Sequence, residues 1–262
     1  LRNIFAFLPR GFSSLADYIS PAAFDVVDWK AAIKKSARIS KELLIGGRID
    51  ELRRDLGANG LPRGVLFANG DSNINDSAND WPVPGERLLE LYFRQILGHN
   101  RAFLDLRADR FETDRATGVM FWRPNGLWVS FHSDFLQGMR LVYSGFYGND
   151  GALVQLGLRQ LGLTGDHLDN DGQARLLGLL EEHFGAGRNG LMQFKISHFM
   201  ESFDSLFLFL RDKRIKLSED FLFLGVMLLT LYLHLESLGE AYDVRAAFMR
   251  ALDCPNPSAI NR

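Results

Sequence analysis

A chain of 262 residues, 47% hydrophobic and 24% charged, has an ordinary globular composition and the length to bury a sizeable core, which rules against disorder along its whole length. A formal net charge of −2 offers little to a phosphate backbone, so no nucleic-acid partner is expected. The single cysteine, Cys254, excludes an internal disulfide and a cysteine zinc cluster; with no recognisable signal sequence, it sets the expectation of a reducing, cytoplasmic setting.

Taken in chain order, Asp28 predicts a helix cap ahead of Trp29. Trp29, Ile33, Ala37 and Leu43 follow at helical spacing until Gly46 and Gly47. The basic residues between Lys30 and Arg54 alternate with Glu42, Asp50, Glu51 and Asp55, a pattern that reads as solvated helix faces. Ile49, Leu52 and Leu56 predict a second short helix stopped by Gly57, and Val65 to Ala68 a short buried strand. Asn69 to Gly85 is rich in turn residues and reads as a linker. The chain therefore divides into residues 1–85, with N-terminal helices, a strand and a linker, and residues 86–262, a larger helical domain.

Glu86 to Leu97 predicts a helix, and a charged stretch runs from Asp105 to Arg115. Val119–Trp122 and Leu127–Phe131 are β-prone runs around Arg123-Pro124-Asn125-Gly126, which predicts a hairpin at 119–131 with an Asn-Gly turn. Helices are expected over Phe135–Tyr147, Gly151–Leu161, Gly172–Phe184, Leu191–Asp212, Ser218–Leu238 and Asp243–Leu252. Ser218, Glu219 and Asp220 suit a helix start. The apolar run Phe221–Leu235 is shorter than the ~20 residues of a membrane span and reads as a buried core helix, with lipid contact as the alternative. The expected fold class is mainly α with a small β-hairpin, α+β overall.

Catalytic signatures are sparse. Asp71, Asn73, Asn75 and Asp76, and again Asp166, Asp169 and Asp171, lack the glycine and glutamate spacing of a calcium loop and read as caps and turns. His99, His132, His167, His183, His198 and His234 form no zinc or di-iron pattern. The chain has no GxSxG, Walker A or GxGxxG motif. No metal is expected. The one candidate ligand is Asp134 in His132-Ser133-Asp134, because a kinase places a metal-binding carboxylate just after such strands; a capping role is the competing explanation.

Four stretches together resemble one family. They are GERLLELYFRQILG ending at Gly98, FWRPNGLWVSFHSDF from Phe121, LVYSGFYGNDGALVQLGLRQLGL from Leu141, and RIKLSEDFLFLGVMLLTLYLHLESLGEAYDV from Arg214. Their order is similar to the C-lobe of the UbiB and coenzyme Q atypical kinases. The resemblance implies a helix ahead of the catalytic loop, a hairpin leading to an Asp-Phe-Gly motif, and a helix between Lys30 and Asp55 carrying an ion-pair glutamate. The chain departs from the family at the chemistry. Arg107 falls where the catalytic Asp belongs, Glu112 or Val119 where the metal-binding Asn belongs, and Arg48 at the ion-pair Glu. Asp134-Phe135-Leu136 replaces Asp-Phe-Gly, or His132 takes the Asp position without a gap. The family's KxGQ helix, alanine-rich nucleotide loop and strand lysine are absent.

The resemblance therefore implies a kinase C-lobe-like domain without ordinary kinase chemistry: a pseudokinase scaffold for a protein partner, or for a lipid or membrane surface, in isoprenoid- or quinone-related biology. No cofactor is expected, with ATP and Mg²⁺ as the alternative. A second reading is an enzyme whose cleft gathers Asp105, Arg107, Asp109, His132 and Asp134, with Arg107 binding an anion and His132 or Asp134 acting as acid or base. A third is a helical ligand-binding bundle without kinase ancestry, favoured if the 119–131 hairpin is absent.

Overall fold

The computed structural model describes residues 13–44, 48–68, 81–98, 100–124, 127–165 and 168–253. The chain is mainly helical, with three small sheets among the described residues. Asp28 accepts the Ala31 amide at 3.0 Å and opens helix α1 (Trp29–Leu44). Helix α2 (Arg48–Asn59) continues past Gly57, and strand β1 (Val65–Phe67) follows. The Asp71–Asp76 cluster, Asp166, His99, His167 and Cys254 lie outside the described residues.

Helix α3 (Pro84–Gly98) is buried nearly all round, so its polar groups must find partners inside the protein. Arg87 donates to Gly64 O at 2.8 Å and Gly118 O at 2.9 Å, holding together two loops that enter neighbouring strands. Gln95 accepts the Phe103 amide at 2.8 Å. Glu90 accepts from Arg94 and Arg250 at 2.9 and 3.0 Å, and so ties α3 to the last helix, α9 (Val244–Leu252).

The strands between α3 and the later helices are β2 (Arg101–Phe103), β3 (Phe111–Thr113), β4 (Met120–Trp122) and β5 (Trp128–Ser130). β4 lies between β1, parallel to it, and β3, antiparallel; β2 and β5 pair antiparallel in a separate sheet. This corrects the expected hairpin at 119–131. Both β-prone runs are strands, but they belong to different sheets. The Arg123 amide bonds Arg110 O at 2.8 Å, which keeps the chain beside β3, and Pro124 supplies no amide for a ladder back to β5. A hairpin forms one strand earlier, between β3 and β4. Its turn closes through Asp114 N to Val119 O at 2.8 Å and Gly118 N to Asp114 O at 2.7 Å, with Gly118 at φ +69°.

After β5 come α4 (Ser133–Gly148), α5 (Gly151–Gln160) and α6 (Asn170–Phe184). Asp150 accepts the Ala152 and Leu153 amides at 3.0 and 3.1 Å, and Asp169 accepts Gly172 N at 2.8 Å, so both act as caps. α4 and α5 cross at glycines. A Cβ on Gly157 would sit 2.8 Å from Gly138 O, and one on Gly145 2.6 Å from Val154 N.

The helix expected over Leu191–Asp212 is divided. Met192–Gln193 form β6, paired antiparallel with β7 (Ala241–Tyr242), and helix α7 begins at Ile196 and ends at Asp212. Helix α8 (Glu219–Leu238) is long and apolar enough to cross a membrane by length and composition, yet 61% of its apolar window is buried within the fold. It is the central core helix, with Phe223, Met227, Leu231 and Leu235 on buried faces.

His183 on α6 bonds Ser202 Oγ on α7 at 2.6 Å and packs edge-on to Phe203. Burial, and secondarily His198, push its pKa down to about 3. The native chain keeps this imidazole neutral, whereas the unfolded chain takes up its proton near the ordinary value of about 6.5. Stability is therefore complete above that value and falls as pH drops toward 3.

Two expectations follow from this packing. Gly157→Ala destabilises by about 1–3 kcal/mol in urea unfolding, while Gly178→Ala, where a Cβ meets open space, stabilises by up to about 1 kcal/mol; equal effects would remove the close-crossing argument. Between pH 6.5 and 4 the unfolding free energy falls with a slope of at most about 1.4 kcal/mol per pH unit from this one group. His183→Phe reduces that slope, and an unchanged slope would assign the loss to other groups.

Candidate functional site

Two charge clusters lie against α8, near residues 220 and 230 of one helix and so about 15 Å apart along its axis. The first is the loop between β2 and β3. Asp105, 1% exposed, receives a two-pronged contact from Arg107, Nε to Oδ1 and a terminal nitrogen to Oδ2, both at 2.8 Å. Arg110 Nε adds a third contact at 3.2 Å, and Arg110 also pairs with the exposed Asp109 at 2.8 Å. The hydrogen bond to Asp105 raises the Arg107 pKa above its usual value. The loop is clamped to α8 by backbone bonds: Thr230 Oγ1 donates to Leu104 O at 2.8 Å and accepts Leu106 N at 3.1 Å. His234 Nδ1 lies 2.9 Å from Leu106 O, which fixes the proton on that nitrogen, since a carbonyl only accepts. Burial lowers the His234 pKa.

The second cluster surrounds Asp220, which is fully buried in the first turn of α8. Lys35 from α1 forms an ion pair with its Oδ1. The His132 amide donates to Oδ2 at 2.9 Å, and His132 Nδ1 lies 2.8 Å from the same oxygen. Glu219 stands 3.8 Å from His132 Nδ1. The Lys35 ammonium also sits 5.8 Å from the Phe131 ring and 5.5 Å from Phe223, so aromatic faces complete its surroundings.

His132, Glu219 and Asp220 offer ligand atoms within 4.8 Å of one another, a spacing a metal ion could use. An ion there would compete with the Lys35 charge already paired to Asp220.

Of the five residues expected to share a cleft, Asp105, Arg107 and Asp109 lie in one loop and His132 stands with Asp220 instead. Asp134 is exposed in the first turn of α4, where its carbonyl accepts from Gln160 at 3.3 Å. None of the five lines the apolar cavities beside α8.

The sequence reading missed Lys35 and Asp220, taking one for a solvated basic residue and the other for a helix-start charge. The phase of α1 held the signal: Ala32, Lys35, Ser36 and Ile39 are all buried and share one face.

No family model and no curated protein matches this chain.

The second cluster yields a direct test. Lys35→Met leaves Asp220 a buried charge without its main partner and costs about 3–5 kcal/mol. The double change Lys35→Met with Asp220→Leu removes both charges and costs less than either single change. Additive losses in urea unfolding would mean that the two side chains are not coupled.

Proposed function

We propose that the chain is a catalytically degenerate pseudokinase-type scaffold that works by binding a protein or lipid partner rather than by transferring phosphate. The observation that carries this reading is the state of the carboxylates. Phosphoryl transfer needs one carboxylate to accept the substrate proton and others to hold Mg²⁺. Here Asp105 is held by Arg107 and Arg110, and Asp220 by Lys35 and His132. Arg107, a permanent cation, stands where the acceptor was expected.

The order of elements supports the kinase-like part of the proposal: α3, then the charged loop, the β3–β4 hairpin, β5, and His132 to Phe135 at the start of α4. Against it stands the missing pairing of 119–122 with 127–131, which favours the reading as a helical bundle without kinase ancestry. An enzyme with a remodelled cleft is the alternative; the separation of His132 and Asp134 from Asp105 and Arg107 weighs against it.

A thermal-shift titration with ATP and ADP, with and without Mg²⁺, separates these readings, because a ligand bound only by the native state raises the midpoint with concentration. The scaffold reading expects no shift at millimolar nucleotide. A Mg²⁺-dependent rise would overturn it and put the enzyme first.

A further inference from the structure

Helix α1 divides sharply by face. Ala32, Lys35, Ser36 and Ile39 are buried, whereas Lys30, Ile33, Lys34, Ala37, Arg38 and Lys41 are exposed. At 3.6 residues per turn the four exposed cations fall within an arc of about 80° opposite the buried side, and they rise about 16 Å from Lys30 to Lys41. The acidic residues that alternate with them in the sequence lie off this arc. Asp50, Glu51 and Asp55 belong to α2, and Glu42, the one acidic residue of α1, falls outside it.

The four cations are also unmatched. None of them has an ion pair or hydrogen bond with a described residue. Other exposed arginines are paired within the fold, Arg123 with Glu112 at 2.8 Å and Arg211 with Asp212 at 3.3 Å. On α1, Lys30 stands four positions from Lys34, Lys34 four from Arg38, and Arg38 three from Lys41, so like charges are stacked one above another and oppose the helix. A carboxylate-bearing partner would relieve that repulsion.

The exposed face also chooses among anionic partners. A bilayer holds a surface helix by an apolar side sunk among its acyl chains, with charge as a supplement. The apolar side of α1 is already in the core, and the outer face offers only Ile33, 39% exposed, and Ala37. A protein segment needs no such depth, because its carboxylates can meet each cation at hydrogen-bond distance, with the planar fork of Arg38 able to grip one through two nitrogens.

We propose that the outer face of α1 is a docking surface for an acidic protein segment whose carboxylates pair with Lys30, Lys34, Arg38 and Lys41. The proposal deepens the scaffold reading, on which it rests, by naming the chemistry of the partner.

The probe is a labelled helical peptide of Glu and Ala, with Glu at i, i+4 spacing and long enough to span the face, titrated by fluorescence anisotropy against the full chain. The surface expects saturable binding of one peptide per chain that weakens as salt rises. Lys34→Glu with Arg38→Glu should keep the wild-type circular dichroism and weaken binding at least tenfold. Arg159→Glu with Arg175→Glu makes the same change in net charge at exposed positions of α5 and α6 and should leave binding unchanged. Lys34→Gln with Arg38→Gln removes the charges without reversing them and should weaken binding severalfold, which keeps the proposal testable if the reversed pair folds poorly. No binding by wild type, or equal losses in the two Glu variants, would overturn the surface. Flotation with phosphatidylserine vesicles that needs Lys34 and Arg38, in the absence of peptide binding, would give the face to a membrane; tighter binding of an oligo-dT strand than of the peptide would give it to a nucleic acid; either result overturns the proposal. The two titrations fail separately: a Mg²⁺-dependent nucleotide shift removes the scaffold reading, whereas a missing peptide complex with no nucleotide shift removes only this surface.

Discussion

The most apolar helix described carries Asp220, Thr230 and His234 into the core; Asp220 and His234 take their partners from outside α8, while Thr230 bonds Met227 O of its own helix as well as the 104–106 backbone. Asp220 draws Lys35 from α1 and His132 from the chain entering α4. Thr230 and His234 draw the backbone of residues 104–106. Apolar burial would tolerate α8 in several rotations and translations. Buried polar groups with fixed donors and acceptors tolerate one, because a slip leaves the Asp220 carboxylate or the His234 imidazole without its partner. The register of α8 thus sets where the 104–110 loop lies and where α4 begins.

The same arrangement bears on chemistry. A carboxylate available to a substrate must hold its charge where a proton or a metal can reach it. Asp105 and Asp220 are instead enclosed, and their charges are matched from within the fold. Their cations differ in kind: Arg107 grips Asp105 with a planar fork, whereas Lys35 meets Asp220 as a point charge flanked by rings. The first arrangement fixes direction and the second fixes position.

Much of the helical frame was legible from the residues, because long segments repeat their apolar positions and end at Asp caps and glycines, as at Asp28, Asp150, Asp169 and Gly239. Strands of two or three residues, such as Arg101–Phe103 and Met192–Gln193, are too short to show alternation and are defined by partners far along the chain. The expected pairing of 119–122 with 127–131 fails because the bond from Arg123 to Arg110 and the missing amide of Pro124 direct β4 elsewhere; the Asn125-Gly126 turn itself lies outside the described residues. Of the candidate site, Asp105, Arg107 and His132 were visible as polar residues at loop positions. Lys35 was hidden by its basic neighbours, since only helical phase separates it from Lys30 and Lys34.

The glycine crossing of α4 and α5 bears on chain entropy. Asn149 and Asp150 alone separate the two helices, so bringing them together closes a minimal loop. The bond between Lys35 and Asp220 spans 185 residues of sequence. Contact at Gly138, Gly145 and Gly157 depends on neighbours already held nearby, while the α1–α8 closure carries the largest ordering cost of the contacts described here. One molecule therefore combines a helical hairpin whose geometry is set locally with a core whose register is set across most of its length.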